Sequence, residues 1–420
     1  MKRLAIAIFL AGLLPIGSQW TFAADSDSDE AKVIAEIEKL GGQITLDLES
    51  PTRPVIEIDL SESKVADADL EAIKGFTRLE TLKLDHTEIT DAGLEHIKDL
   101  TRLQVLGLWD TKVTDAGLEY LKGLTRLRKL DLEHAPITDA GLEILKGLTR
   151  LETLDLTGSK ISDAGLERLK TLTDLRSLRL DGAPITDKGL EHLKALPRLQ
   201  TLGLWETGIT DAGLASLEGL TKLRELDLMA SKITDSGLEH LKGLTKLQAL
   251  NLAKTDITNA GLEHLKPLAL LETLGLWDTK VSDAGLEHLK GLTKLKGLYL
   301  DSLDITDAGL ERITALKDIE ELRLGGTQVT DDGLEHLKDL PKLETLILSE
   351  TKVTDAGLEH LTKVRQLKKL SLADTEVTDI GVLRLRDIRK LEELDVSNTA
   401  ITDDGVKALN ETLPKCKVER

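Results

Sequence analysis

Leu103-Gln-Val-Leu-Gly-Leu-Trp-Asp-Thr-Lys-Val-Thr-Asp115 is one copy of a stretch that returns fifteen times at a fixed offset of 24 residues. The first copy starts at Val55 and the last at Leu391, and no insertion interrupts the series. The closing Asp recurs from Asp67 and Asp91 through Asp379 and Asp403, with Asn259 the one replacement. Such regularity predicts a solenoid in which each unit touches only its neighbours. Alternating apolar residues such as Leu106 and Leu108 predict a half-buried strand in each unit. After it comes a run of the type Ile-Thr-Asp-Ala-Gly-Leu-Glu-His-Leu-Lys. Its Thr or Asp is placed to cap a helix, and leucines recur at spacings of three, as at Leu262, Leu265 and Leu268. Gly123, Gly147 and Gly243 follow the Lys where a left-handed C-terminal residue would sit. Each unit is thus expected to run strand, turn, short helix, turn. Its few aliphatic positions cannot offset the entropy of ordering 24 residues, so the units must stack.

The Leu-x-x-Leu-x-Leu-x-x-Thr-x-Ile run resembles the core segment of the leucine-rich-repeat family. The Ile-Thr-Asp-Ala-Gly-Leu run is similar to the helical half of its ribonuclease-inhibitor-like and secreted bacterial 24-residue classes. The resemblance covers roughly residues 55 to 410. It implies an α/β fold: a right-handed, curved leucine-rich-repeat solenoid with a parallel β-sheet on the concave face and short helices on the convex face. One departure stands out. The position that the family fills with Asn or Cys is Thr or Ser in twelve units, and Ala135, Ala183 and Leu303 in the others. A hydroxyl bonds turn backbone more weakly, so a looser inner ladder is expected there.

The 420 residues divide, on this reading, into a signal peptide at 1–23, an N-terminal cap at 24–54, fifteen repeats at 55–408 and a C-terminal cap at 409–420. Lys2 and Arg3 precede an apolar stretch from Leu4 to Ile16, and Thr21-Phe22-Ala23 offers small residues at −3 and −1. The apolar stretch is too short to span a bilayer, so export with cleavage, to a periplasmic or extracellular location, is expected. No membrane insertion is expected of the mature chain. An amphipathic run at Asp29–Leu40, the Ile44-Leu46-Leu48 alternation and Lys415-Cys416-Lys417-Val418 read as terminal elements that shield the core and sheet edges.

The chain carries 55 Lys and Arg against 74 Asp and Glu, a net charge of −19 that argues against nucleic-acid binding. Loss of residues 1–23 makes it −21. A single cysteine, Cys416, excludes a disulfide framework and a Cys-ligated metal centre, and an inward orientation is expected for it. Seven of nine histidines share one helix column, from His96 to His360. Neighbouring helices stand about 8–10 Å apart, too far for one ion, so this column reads as a solvated face and no metal is expected. The repeated Asp is explained by capping rather than calcium. No nucleophile elbow or phosphate loop occurs, and neither catalysis nor a cofactor is expected.

Number each unit from its first Leu, so that positions 3, 5, 7 and 8 face the sheet side or its rim. These columns hold nineteen acids against six bases, a large share of the net charge. Trp109, Trp205 and Trp277 all fall at position 7, each with Gly at position 5 (Gly107, Gly203, Gly275), and the missing side chain is expected to leave room for the indole. Met229 shares their column, and Tyr299 sits in the unit beside Trp277. Copying of one unit into another is an alternative source of this recurrence. The resulting expectation is an exported, monomeric, non-enzymatic protein–protein interaction module. Its partner would be a basic and apolar protein or peptide, bound through Trp109, Trp205, Met229, Trp277, Tyr299, Asp110, Asp131, Asp155, Glu206, Asp227 and Asp278. Two alternatives stay open: a self-associating structural component of an envelope or matrix, and glycan binding through the indoles.

Overall fold

A computed structural model describes residues 29–420; the predicted signal peptide lies outside the described residues. Short strands and short helices alternate along the chain, and seventeen strands among the described residues form one open sheet in sequence order. The strand Gln43–Leu46 runs antiparallel to Val55–Asp59, and every later strand pairs parallel with its predecessor. Register follows the repeat: Leu82 opposes Leu106, which opposes Leu130. The last strand, Lys417–Glu419, lies beside Glu393–Asp395.

One aliphatic core runs the length of the solenoid. Leu106, Leu108, Val113, Leu118, Leu121 and Leu124 of a single unit are all fully buried, and the same columns are buried in the units on either side. Cys416 is buried at the C-terminal end, where burial pushes its thiol up to about 11. Each helical segment is brief: Asp91–Leu94 is α-helical and Glu95–Ile97 continues as 3₁₀. The glycines after the lysines do not adopt the left-handed conformation expected of them. A 3₁₀-type bond, such as Leu124 N–H to the Leu121 carbonyl at 2.9 Å, closes each helix instead.

The left-handed residue lies elsewhere. Position 8, just past the strand, has positive φ in all fifteen units: Gly158, Gly182 and Gly326 at 69–72°, and twelve non-glycine residues at 50–59°. The bend turns the chain off the sheet. Most units make it with a residue other than glycine, and the amide of the bend residue itself is tied to the next unit, as His86 N–H to Trp109 O at 2.7 Å.

The repeated Asp also has a different role from the expected cap. Thr90, not Asp91, is the N-cap and accepts the Ala92 amide. Asp91 reaches into the next unit: its Oδ1 accepts the Thr114 amide at 2.7 Å and its Oδ2 accepts the Thr114 hydroxyl at 2.7 Å. The same two bonds join Asp67 to Thr90, Asp139 to Ser162, and so on to Asp379 and Thr402. Asn259 keeps the link by accepting the Ser282 amide and donating its Nδ2 to the Ser282 hydroxyl. A Cβ placed on Gly93 would meet Asp67 Oδ1 at 2.5 Å, so the glycine of the Asp-Ala-Gly-Leu run is the floor on which the neighbouring carboxylate rests.

The Thr or Ser at position 9 is satisfied within its own unit except at Ser159, whose buried hydroxyl has no partner among the described residues. The Thr207 hydroxyl donates to the Leu204 carbonyl at 2.7 Å, and Thr255 and Thr351 do the same three residues back. It closes the post-strand bend and takes no part in an inter-unit ladder.

Asp211→Ala removes both bonds to Thr234 at one junction. It is expected to destabilise that junction by about 2–3 kcal/mol, since two charge-assisted bonds are lost and a part-buried amide is left unpaired. Hydrogen exchange at the Thr234 amide reads the effect, and unchanged protection there would show that the clamp contributes nothing.

Candidate functional site

The position-7 amide on the sheet face points along no backbone ladder and needs a side-chain acceptor. In most acid-bearing units an Asp two residues earlier supplies it: Glu133 N–H to Asp131 at 3.3 Å, Thr157 N–H to Asp155 at 3.0 Å and Met229 N–H to Asp227 at 2.9 Å. In the Trp109 and Trp205 units position 5 is Gly, and the acceptor comes from the unit before. Trp109 N–H donates to Asp85 at 3.0 Å, and Trp205 N–H to Asp181 at 2.8 Å.

This geometry corrects the expected reason for the glycines. A Cβ on Gly107 would lie 2.5 Å from Asp85, one on Gly203 2.5 Å from Asp181, and one on Gly275 2.7 Å from Asn251 Oδ1. The space is filled by a neighbouring polar side chain, not by the indole. Asp181 itself is buried at 1% exposure and also accepts Arg179 Nε at 2.9 Å. Burial pushes its carboxyl above the ordinary range, although the Trp205 amide and Arg179 pull the other way. Asp181 is thus the support beneath Trp205. Its signal in the sequence was the pairing of an Asp at position 7 with a Gly at position 5 of the next unit.

The aromatic rings differ in what they touch. Trp109 is half-buried against His86, ring centroids 3.9 Å apart at 60°, and His86 Nδ1 lies 2.8 Å from Asp110. Lys254 Nζ sits 4.8 Å from the centre of the Trp277 ring. The Arg323 guanidinium lies 5.2 Å from that of Tyr299, whose hydroxyl donates to Glu321 at 3.3 Å. Trp205 is 39% exposed, and among the described tryptophans it has no ring or cation partner. Met229, one unit on, is half-buried.

The predicted acids also separate. Asp131, Asp155 and Asp227 are half-buried and hold backbone amides, whereas Asp110, Glu206 and Asp278 project from the left-handed position 8 and are exposed. Asp131, Glu133 and Asp155 can each bring one oxygen within 4.8 Å of the other two, the only such group of three metal-ligating residue types among the described residues. Burial and the Asp155 charge hold the Asp131 and Glu133 carboxyls above their usual range. Arg179 Nε is 3.8 Å from Asp155 and shares its compensation with Asp181.

Asp131→Asn keeps an oxygen for the Glu133 amide and removes one charge. With a folded-state pKa above the unfolded value of about 3.9, the ionised carboxyl costs stability above the folded pKa and nothing below the unfolded one. The variant is therefore expected to raise Tm at neutral pH, and the gain is expected to vanish near pH 3.5. An equal gain at both pH values would contradict the origin assigned to it.

The sequence matches two families of known proteins: "Leucine-rich repeat region" over residues 61–235 and "Leucine Rich repeat" over residues 243–266 and 388–409. No curated protein matches it. Among solved structures, a leucine-rich-repeat protein from Leptospira interrogans superposes with a TM-score of 0.62 at 20% identity, covering 93% of this chain and 98% of that one. An internalin from Listeria monocytogenes gives 0.53 at 23% identity, with 89% and 96% covered. Mouse RP105, solved in complex with MD-1, gives 0.53 at 19%, with 82% and 67% covered. At these identities the likeness is one of fold.

Proposed function

The chain is a leucine-rich-repeat protein, and from that premise we propose that it is an exported, non-enzymatic recognition module. It binds a protein or peptide with basic and apolar features on its sheet face, in the periplasm or outside the cell. The observation that carries this reading is Trp205, an indole standing 39% exposed with nothing stacked on it. Exposed Trp is a favoured anchor at protein interfaces. Lys254 over Trp277 and Arg323 over Tyr299 display the geometry that a partner's Lys or Arg would adopt over Trp205. The exposed carboxylate of Glu206 lies next to it, and those of Asp110 and Asp278 lie along the same column; a predominantly acidic face attracts and orients a basic partner. Met229 adds an adaptable apolar contact. RP105, solved in complex with MD-1, shares the fold, which supports an interaction role.

Selection of a displayed random-peptide library on the full chain tests this. Recovered peptides should combine Lys or Arg with apolar residues, and Trp205→Ala should weaken them about thirty-fold, the scale of a hot-spot residue. Undiminished binding to the variant would remove the sheet face as the site.

A second reading, self-association, is favoured by Ile380, 70% exposed, and Leu383 beside it on the helix side. Sedimentation across a concentration series separates the two. The recognition module is expected to stay monomeric, whereas association abolished by Ile380→Lys would support the second.

A further inference from the structure

The last residue of each unit, in the turn that carries the chain from helix to strand, defines a row along one lateral edge of the solenoid. At four consecutive rungs this residue is arginine: Arg78, Arg102, Arg126 and Arg150. All four are exposed, and none has an ion pair or side-chain hydrogen bond among the described residues. No acid occupies this part of the row to pair with them. Where an acid occupies the row the next base pairs with it, Arg198 with Asp174 and Lys342 with Asp318. Two acids that follow the arginines in sequence are already engaged: Glu80 accepts Gln104 Nε2 at 2.8 Å, and Glu152 holds Arg128 and Arg176, each at 3.1 Å.

The pitch of the row is set by the sheet. Two residues downstream of each arginine the backbone ladder is closed, Gln104 N–H to Glu80 O and Arg128 N–H to Gln104 O, both at 2.7 Å. The arginines therefore follow the strand spacing of about 4.8 Å, and the run spans about 14 Å. Four like charges at that pitch repel one another, and no fold contact offsets the repulsion.

We propose that this arginine row binds a single-chain anionic polysaccharide, with successive sulfate or carboxylate groups taken by successive guanidinium forks. Arginine suits such groups because its planar donors pair with two oxygens at once. The row is one side chain wide, which matches one chain of charges and not the paired phosphate rows of a duplex. Among the described residues the aromatic two positions from Arg78, Phe76, is buried and offers no face to stack the bases of a single strand. The site lies on a lateral edge away from Trp205 and does not depend on the sheet-face reading.

The test uses the full chain with three immobilised probes: a heparin decasaccharide, a polygalacturonate oligomer of similar length and an oligo-dT strand. The chain should bind at least one of the two glycans, more tightly than oligo-dT. Preference for heparin would identify sulfate as the group read, and preference for polygalacturonate a carboxylate. The variant Arg78→Ala/Arg102→Ala/Arg126→Ala/Arg150→Ala should bind at least about ten-fold more weakly, the sum of several modest exposed pairs. Lys222→Ala/Lys246→Ala, in the same row but outside the run, and Trp205→Ala should stay within two-fold of wild type. Absence of glycan binding, tighter binding to oligo-dT, or a quadruple variant that binds like wild type would each overturn the proposal.

Discussion

A carboxylate that belongs to one unit and is spent on the next holds this solenoid in register. The Asp at the start of each helix turns away from its own helix and grips the amide and hydroxyl of the Thr one unit on, and fourteen such junctions, Asn259 included, follow one another among the described residues. Much follows from that reach. The grip works only if the following Thr is presented at one height, so neither insertion nor deletion is tolerated between junctions. It also requires a residue without Cβ under the carboxylate, which explains the glycine inside a helix where intrinsic propensity alone would disfavour it. The Asn259 unit shows what matters: an amide opposite Ser282 preserves two hydrogen bonds without the charge, so geometry rather than ionisation is the constraint.

The fold was legible because its strongest signals are local. Alternating leucines and a Thr before an Asp-Ala-Gly-Leu run predict strand and helix within one unit, and stacking follows from the period. Many of the contacts that were not legible join residues 23 or 24 apart. Read one unit at a time, Asp91 resembles a cap because caps and clamps use the same residue types at helix starts; only the neighbour's position distinguishes them. The left-handed bend at position 8 was hidden for another reason. Its occupants include His86, Glu206, Ala230 and Lys254, and glycine stands there in only three of the fifteen units, so composition does not mark it; the bend residue's own amide is instead held by the next unit.

The candidate site was legible in its location and less so in its chemistry. Charge counting treats each sheet-face acid as a source of field, yet Asp131, Asp155 and Asp227 hold position-7 amides and Asp181 is enclosed beneath Trp205. Those groups maintain the face on which the exposed position-8 acids stand. The tryptophans divide in the same way. Equivalent in sequence, they differ in the residue one unit earlier: His86 covers Trp109, Lys254 caps Trp277, and before Trp205 stands Gly182, which leaves its ring open. An anchor is thus made by its neighbour's lack of a side chain.

The same reasoning limits what a net charge excludes. Exposed charges act over a screening length of about 8 Å at physiological salt, whereas the solenoid repeats over many strands of about 4.8 Å. A total of −19 therefore describes no single place on the surface. Because every unit sends the same position to the same edge, a substitution pattern that is scattered in the sequence becomes a continuous stripe in space. Nineteen acids collect on one face and four unpaired arginines on an edge, within one chain of acidic composition. Stacking at constant pitch turns periodic chemistry into extended surfaces, and adjacent stripes of opposite sign can persist because each is read by a partner only within its own screening length.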